Sequence, residues 1–191
     1  MKKRTPLIKI TMVALFAALT AICSWIQIPF VPIPFTMQTF AVFLSVYVLG
    51  IEKSFLSVLV YLLLGAAGLP VFSRFQGGIG VLIGATGGYL IGFLLSVLVT
   101  GALLRLSRDK IVPVFLSMLA GLLICYVFGT GWFMIFCNTR FESLSLSKAV
   151  QAAVLPFIIP DAVKIVIAIL VGRKIKRASD KYLFNNNIGE D

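Results

Sequence analysis

Two charges interrupt an otherwise membrane-spanning stretch near the C-terminal end of this chain, Asp161 and Lys164 in PFIIPDAVKIVIAIL. An ionised side chain at the centre of a bilayer costs about 2.5 to 3.5 kcal/mol on insertion scales, so both should face protein or a cavity. Three residues apart, they share one face of a helix. Pro160 suits a first helical turn, which would put Asp161 beside the positive end of the helix dipole. A carboxylate accepts hydrogen bonds from N–H groups and an ammonium can hold a ligand carboxylate, so the pair suits recognition of a small polar molecule with an acidic tail. The same spacing also fits a purely structural ion pair that locks this helix to its neighbours.

Other chemistries are excluded by what the chain lacks. There is no histidine, which removes HExxH zinc hydrolases and Ser-His triads. Cys23, Cys125 and Cys137 lie far apart in apolar runs, without the CxxC spacing of metal or redox sites. No GxxxxGK[ST] run is present, so ATP hydrolysis by that route is not expected of this chain. No metal or cofactor is called for. The GGIG run lacks the strand and helix context of a dinucleotide fold and reads as a loop that lets backbone approach a ligand.

The elements that must position the pair follow from composition. Of 191 residues 60% are hydrophobic and only 13% charged, and the mean hydropathy is +1.05, so the bilayer is the expected solvent. The net charge of +10 comes from cations between long apolar runs and not from one basic face, so nucleic acid is not an expected partner. From Ile10 to Ile51 there is no charge, a length for two crossings of a core about 30 Å thick. Pro29, Pro32 and Pro34 divide them. Six spans are expected in one membrane domain, at about 8–28, 35–51, 54–69, 79–104, 111–137 and 156–172, with NTRFESLSLSK as a polar connector and a disordered C-terminal tail. The expected fold is an all-α bundle of six transmembrane helices. With loops alternating between sides, thirteen of the seventeen Lys and Arg fall on the side of the termini, and Arg74, Arg140 and Lys148 on the other. That bias places both termini in the cytoplasm.

By that topology Asp161 and Lys164 lie in the outer half, together with the loops after the first, third and fifth spans. One outward pocket could be lined by PFVPIPFTMQ, which contains Gln38, by SRFQGGIG, which contains Arg74 and Gly78, and by the start of the sixth span. Phe35, Phe72, Phe75 or Tyr89 would supply flat walls. Gly84, Gly88 and Gly92 recur at the spacing of close helix packing, and Gly87 and Tyr89 begin the fourth span on the pocket side. In the first span Ala14, Ala17, Ala18 and Ala21 form small-xxx-small pairs, which suit either internal packing or docking of another membrane protein.

The succession ALFAALTAI, IPFVPIPFTMQTFAV, YLLLGAAGLPVFS, GATGGYLIGF, CYVFGTGWF and PFIIPDAVKIVIA resembles the BioY family, the biotin-binding S components of energy-coupling factor (ECF) transporters, from about Ala14 to Gly172. The resemblance implies a six-helix receptor that captures biotin outside and delivers it through a transmembrane coupling subunit (T component) and two cytoplasmic ATPases. It implies Asp161 on the ureido N–H groups and Lys164 on the valerate carboxylate, within a site drawing also on Tyr89, Gly87, Gly78, Arg74 and Gln38. It implies that the helix bearing Ala14, Ala17, Ala18 and Ala21 docks on the coupling subunit. An intramembrane enzyme using Asp161 as acid or base, and a helical scaffold, are the alternatives from other classes.

Overall fold

The computed structural model describes residues 4–29, 33–140 and 144–188. Its helices are α1 (Arg4–Trp25), α2 (Gln38–Leu49), α3 (Ile51–Ala66), α4 (Ile79–Leu82), α5 (Gly87–Leu104), α6 (Ile111–Arg140), α7 (Leu146–Ala153) and α8 (Leu155–Ile188). Four segments are long and apolar enough to cross a bilayer alone: Leu7–Trp25, Gly87–Leu104, Ile111–Arg140 and Leu155–Ala178. With α2 and α3 they form an all-α membrane bundle of six principal helices. Among the described residues, α5 packs most extensively on α6, α2 on α8 and α1 on α3. Large apolar side chains such as Leu123, Val127 and Ile159 point outward, as expected where lipid is the solvent.

The first two helices are shorter at their facing ends than the expected spans, stopping at Trp25 and starting at Gln38. The prolines between them push their neighbours into extended backbone, and the extended pieces pair. Strands β1 (Gln27–Ile28) and β2 (Phe35–Thr36) form an antiparallel ladder with Gln27 opposite Thr36 and Ile28 opposite Phe35. Pro32 lies outside the described residues. Twelve residues of α2 reach only about 18 Å at 1.5 Å per residue, well short of a 30 Å core. Non-helical backbone at membrane depth is tolerated where protein surrounds it or a cavity opens beside it.

Five further expectations are corrected. The stretch 79–104 is not one helix: α4 ends at Leu82, and α5 starts at Gly87 after a glycine-rich corner. A Cβ at Gly87 would lie 1.8 Å from the Leu82 carbonyl oxygen, so only glycine lets α4 fold back this closely. The third helix spans Ile51–Ala66 and not 54–69, because Gly50, at φ +78°, turns the chain directly from α2 into α3. The connector after α6, of which 141–143 lie outside the described residues, contains the amphipathic helix α7, with Ala149 and Ala153 buried. Pro160 lies inside α8, more than one turn from its start, so the helix N-terminus does not serve Asp161. The same helix continues past 172 to Ile188, into the tail expected to be disordered.

Candidate functional site

α8 brings Asp161 and Lys164 into the bundle interior, each 4% exposed. Lys164 Nζ lies 2.7 Å from Asp161 Oδ1. It also donates to the Thr36 carbonyl oxygen of β2 at 2.5 Å and to Thr39 Oγ1 at 3.2 Å. An ammonium has three donors, and all three are engaged. The ring of Phe35 covers it, 3.7 Å from Nζ to the centroid, a cation–π contact in a desolvated setting. Thr39 in turn donates to Asp161 Oδ1 at 2.9 Å, and Tyr126 of α6 donates to Oδ2 at 2.5 Å. Of about four lone-pair positions on a carboxylate, three are therefore used and one on Oδ2 is left open by the described residues.

These groups line a cavity of about 70 Å³, several times the 10–15 Å³ or so that a single water needs on this measure. Its aromatic walls come from Phe35, Phe72, Phe93 and Phe157. Phe35 and Phe157 stack, with centroids 6.1 Å apart. The polar rim adds Gln38, Ser73, Thr86 and Tyr89. Gln38 is buried, donating to the Tyr61 hydroxyl at 2.6 Å and accepting from Thr36 Oγ1 at 2.8 Å. Tyr89 shares a hydrogen bond of 2.8 Å with Thr130. Phe72 is drawn inward by a bridge to Gln76 and packs over Gly65, where a Cβ would overlap its ring. Phe72 also meets Tyr61 edge-on at 5.5 Å.

The structure thus brings Asp161, Lys164, Gln38 and Tyr89 to one cavity, with Phe35 and Phe72. Arg74, Gly78 and Gly87 are not among its lining residues. Arg74 sits exposed at φ 59° in the turn between α3 and α4. Gly78 donates its N–H to the Gly65 carbonyl and sets the entry to α4 at φ +95°. Gly87 is taken up by the corner described above. Phe75, expected as a wall, is exposed and stacks on Trp25 at 5.1 Å, while the Trp25 indole donates to the Pro70 carbonyl, tying this loop to the end of α1. Tyr126 and Thr39 were not singled out by the sequence, although an interior tyrosine in a span needs a partner for its hydroxyl.

The alanine stripe of α1 divides. Ala17, at 2% exposure, and Ala21 are buried in a cluster with Val42, Val58 and Tyr61. Ala14 and Ala18 face outward. The four residues therefore do not form one docking surface, because 17 and 21 are used up inside the bundle.

A buried charge pair at the wall of a cavity, framed by a pleated insertion between two helices of a six-helix bundle, defines a ligand-holding membrane protein. The fold matches the crystal structure of the S-component for biotin from an ECF-type ABC transporter, with a TM-score of 0.82 over 93% of this chain and 95% of that one, at 23% identity. The BioY family model matches residues 1–181. The chain is 43% identical over 163 residues to the biotin transporter BioY of Thermotoga maritima, covering 85% of this chain and 92% of that protein. To the probable biotin transporter BioY of Pyrococcus horikoshii it is 40% identical over 168 residues, 88% of this chain and 96% of that one. The chain belongs to the BioY family.

Proposed function

We propose that this chain is a biotin-binding S component, which captures biotin and hands it to an ECF coupling subunit driven by two ATPases, with both termini in the cytoplasm. The observation that carries the reading is the placement of Asp161 and Lys164, one turn apart and nearly inaccessible, on the wall of a cavity with aromatic sides. The transporter names of its relatives favour this role over intramembrane catalysis at Asp161. The excess of cations at the end of the bundle bearing the termini supports the orientation.

The pair's bonding suggests how a bifunctional ligand would be held. The open position on Asp161 Oδ2 would accept a ureido N–H without displacing a protein donor. Lys164 has no donor to spare, so a ligand carboxylate would replace one of its partners. The Thr36 carbonyl, carried on the hairpin, is the exchangeable one, since Asp161 and Thr39 are themselves linked. Phe35 and Phe157, stacked on one another, would together form one apolar wall beside the ligand.

The test is titration calorimetry of unmodified biotin into the purified chain in nanodiscs, followed by uptake in vesicles with and without coupling partners. Saturable binding that is lost in Asp161→Asn and Lys164→Met is expected. Unchanged affinity in both variants would make the pair structural and end the proposal. Turnover of a ligand into product by the isolated chain would favour an enzyme.

A further inference from the structure

At the opposite end of the bundle, a second cleft of about 570 Å³ opens between the α2–α3 turn, the end of α5 and the polar end of α8. We propose that this cleft seats the headgroup of an anionic phospholipid, with an acyl chain in the apolar groove beside it. Lys53, Arg105, Arg108 and Lys176 line the cleft against only two carboxylates, Glu52 and Asp109. Asp109 is already committed: it accepts from the Tyr47 hydroxyl at 2.7 Å and from Lys176 at 3.4 Å. Lys53, Arg105 and Arg108 make no ion pair among the described residues. Among the described residues, three cations at one cleft thus lack an ion-pair partner.

The adjoining groove identifies the occupant. It measures about 250 Å³ and is lined by Leu103, Leu106, Pro113 and Leu116. Ser107, 4% exposed, lines both, so one residue separates the cationic cleft from the apolar groove. Leu106 is 78% exposed directly beside Arg105. Inorganic phosphate would use the cleft alone, and a neutral lipid the groove alone; an anionic phospholipid uses both. Guanidinium groups bind phosphate oxygens through paired hydrogen bonds, and cationic pockets between membrane helices are headgroup sites on this principle. The turn that presents Arg108 is held in place, with Arg108 and Asp109 at φ 47° and 57° and the Asp109 carbonyl accepting from Arg173 at 2.9 Å.

Native mass spectrometry of the full chain, released from detergent after titration with phosphatidylglycerol, phosphatidylcholine or inorganic phosphate, tests this. Phosphatidylglycerol should be retained about thirtyfold over phosphatidylcholine, as expected for two engaged cations. Arg105→Gln/Arg108→Gln should abolish that preference while leaving biotin affinity unchanged. Lys9→Gln/Lys174→Gln, which removes the same charge elsewhere, should keep it. Should the first double variant not fold, Arg108→Gln alone must still lower the preference. Equal retention of the two lipids, a preference untouched in the Arg105 and Arg108 variants, equal loss in the control, or displacement by inorganic phosphate at matched concentration would each overturn the site.

Discussion

Tyr126 on α6 donates its phenolic hydrogen to Asp161 Oδ2 on α8 at 2.5 Å, so a carboxylate in the cavity wall ties together two long helices. Hydrogen bonds to charged groups contribute about 1.5 to 3 kcal/mol. Tyr126→Phe should lower the unliganded stability by about that amount. It also vacates a second position on Oδ2 that ligand N–H groups can fill. Biotin should therefore raise the unfolding temperature more in Tyr126→Phe than in the parent, measured by differential scanning fluorimetry in detergent. Equal shifts would mean that ligand donors do not take the position on Oδ2 that Tyr126 vacates.

Removing one member of the Asp161–Lys164 pair leaves an uncompensated buried charge, which costs about 3 to 5 kcal/mol. Asp161→Asn and Lys164→Met should each be less stable than the combination of the two. Chemical denaturation in mixed micelles reads the order. Biotin binding should be lost in all three, so recovery of stability in the double variant without recovery of binding separates folding from recognition.

Ala14→Trp and Ala17→Trp differ only in which face of α1 they load. The first points outward and should spare biotin binding while reducing partner-dependent uptake. The second enlarges a residue with 2% exposure and should lower yield and binding together, since overpacking costs about 1 to 3 kcal/mol or more. Binding and uptake assays on the same preparations distinguish them. Loss of binding in Ala14→Trp would remove the outward face from the docking role.

Gly87→Ala would set a methyl group against a backbone carbonyl, which cannot rotate away. A loss of at least about 1 to 3 kcal/mol is expected. Val81 and Thr86, which flank this corner, line the cavity, so weaker biotin binding should accompany the fall in melting temperature. Normal affinity at full occupancy would show that the corner is not coupled to the site.

Asp109 supplies a pH dependence on the side of the termini. Partial burial raises its pKa, but the Tyr47 hydroxyl, Lys176 and Arg173 outweigh this and hold the carboxyl below its ordinary value. A depressed folded pKa contributes stability that is present above the unfolded value, about 3.9, and is lost as pH falls through the folded one. Asp109→Asn should therefore flatten the acid limb of stability below about pH 4 and leave neutral biotin binding unchanged. An acid limb identical to the parent's would remove Asp109 as its source.

The pair itself was legible because two charges inside an apolar run have few places to go. Its partners were not. Hydroxyls in membrane helices usually bond their own backbone, and Thr20 and Ser117 do so here, to Phe16 and Pro113. Nothing in the local sequence separates them from Thr39, which packing alone brings to α8. The prolines announced a break between the first two spans, but pairing of Gln27 with Thr36 depends on two helices holding the strands together. Polar residues around α7 concealed a helix whose apolar face is only a few small side chains wide. At Ala14 to Ala21 the spacing marked two adjacent ridges; which of them faces inward is fixed by Tyr61 and Val58 on α3, far away in sequence.

Because every hydrogen of the Lys164 ammonium has a protein acceptor, the cavity wall presents no idle cation. A chloride or acetate ion arriving there would trade one bond for another and gain little. A larger guest, gripping Oδ2, the ammonium and the aromatic walls together, can compensate for the contact it dislodges. Selection against small abundant anions thus follows from the saturated bonding of Lys164.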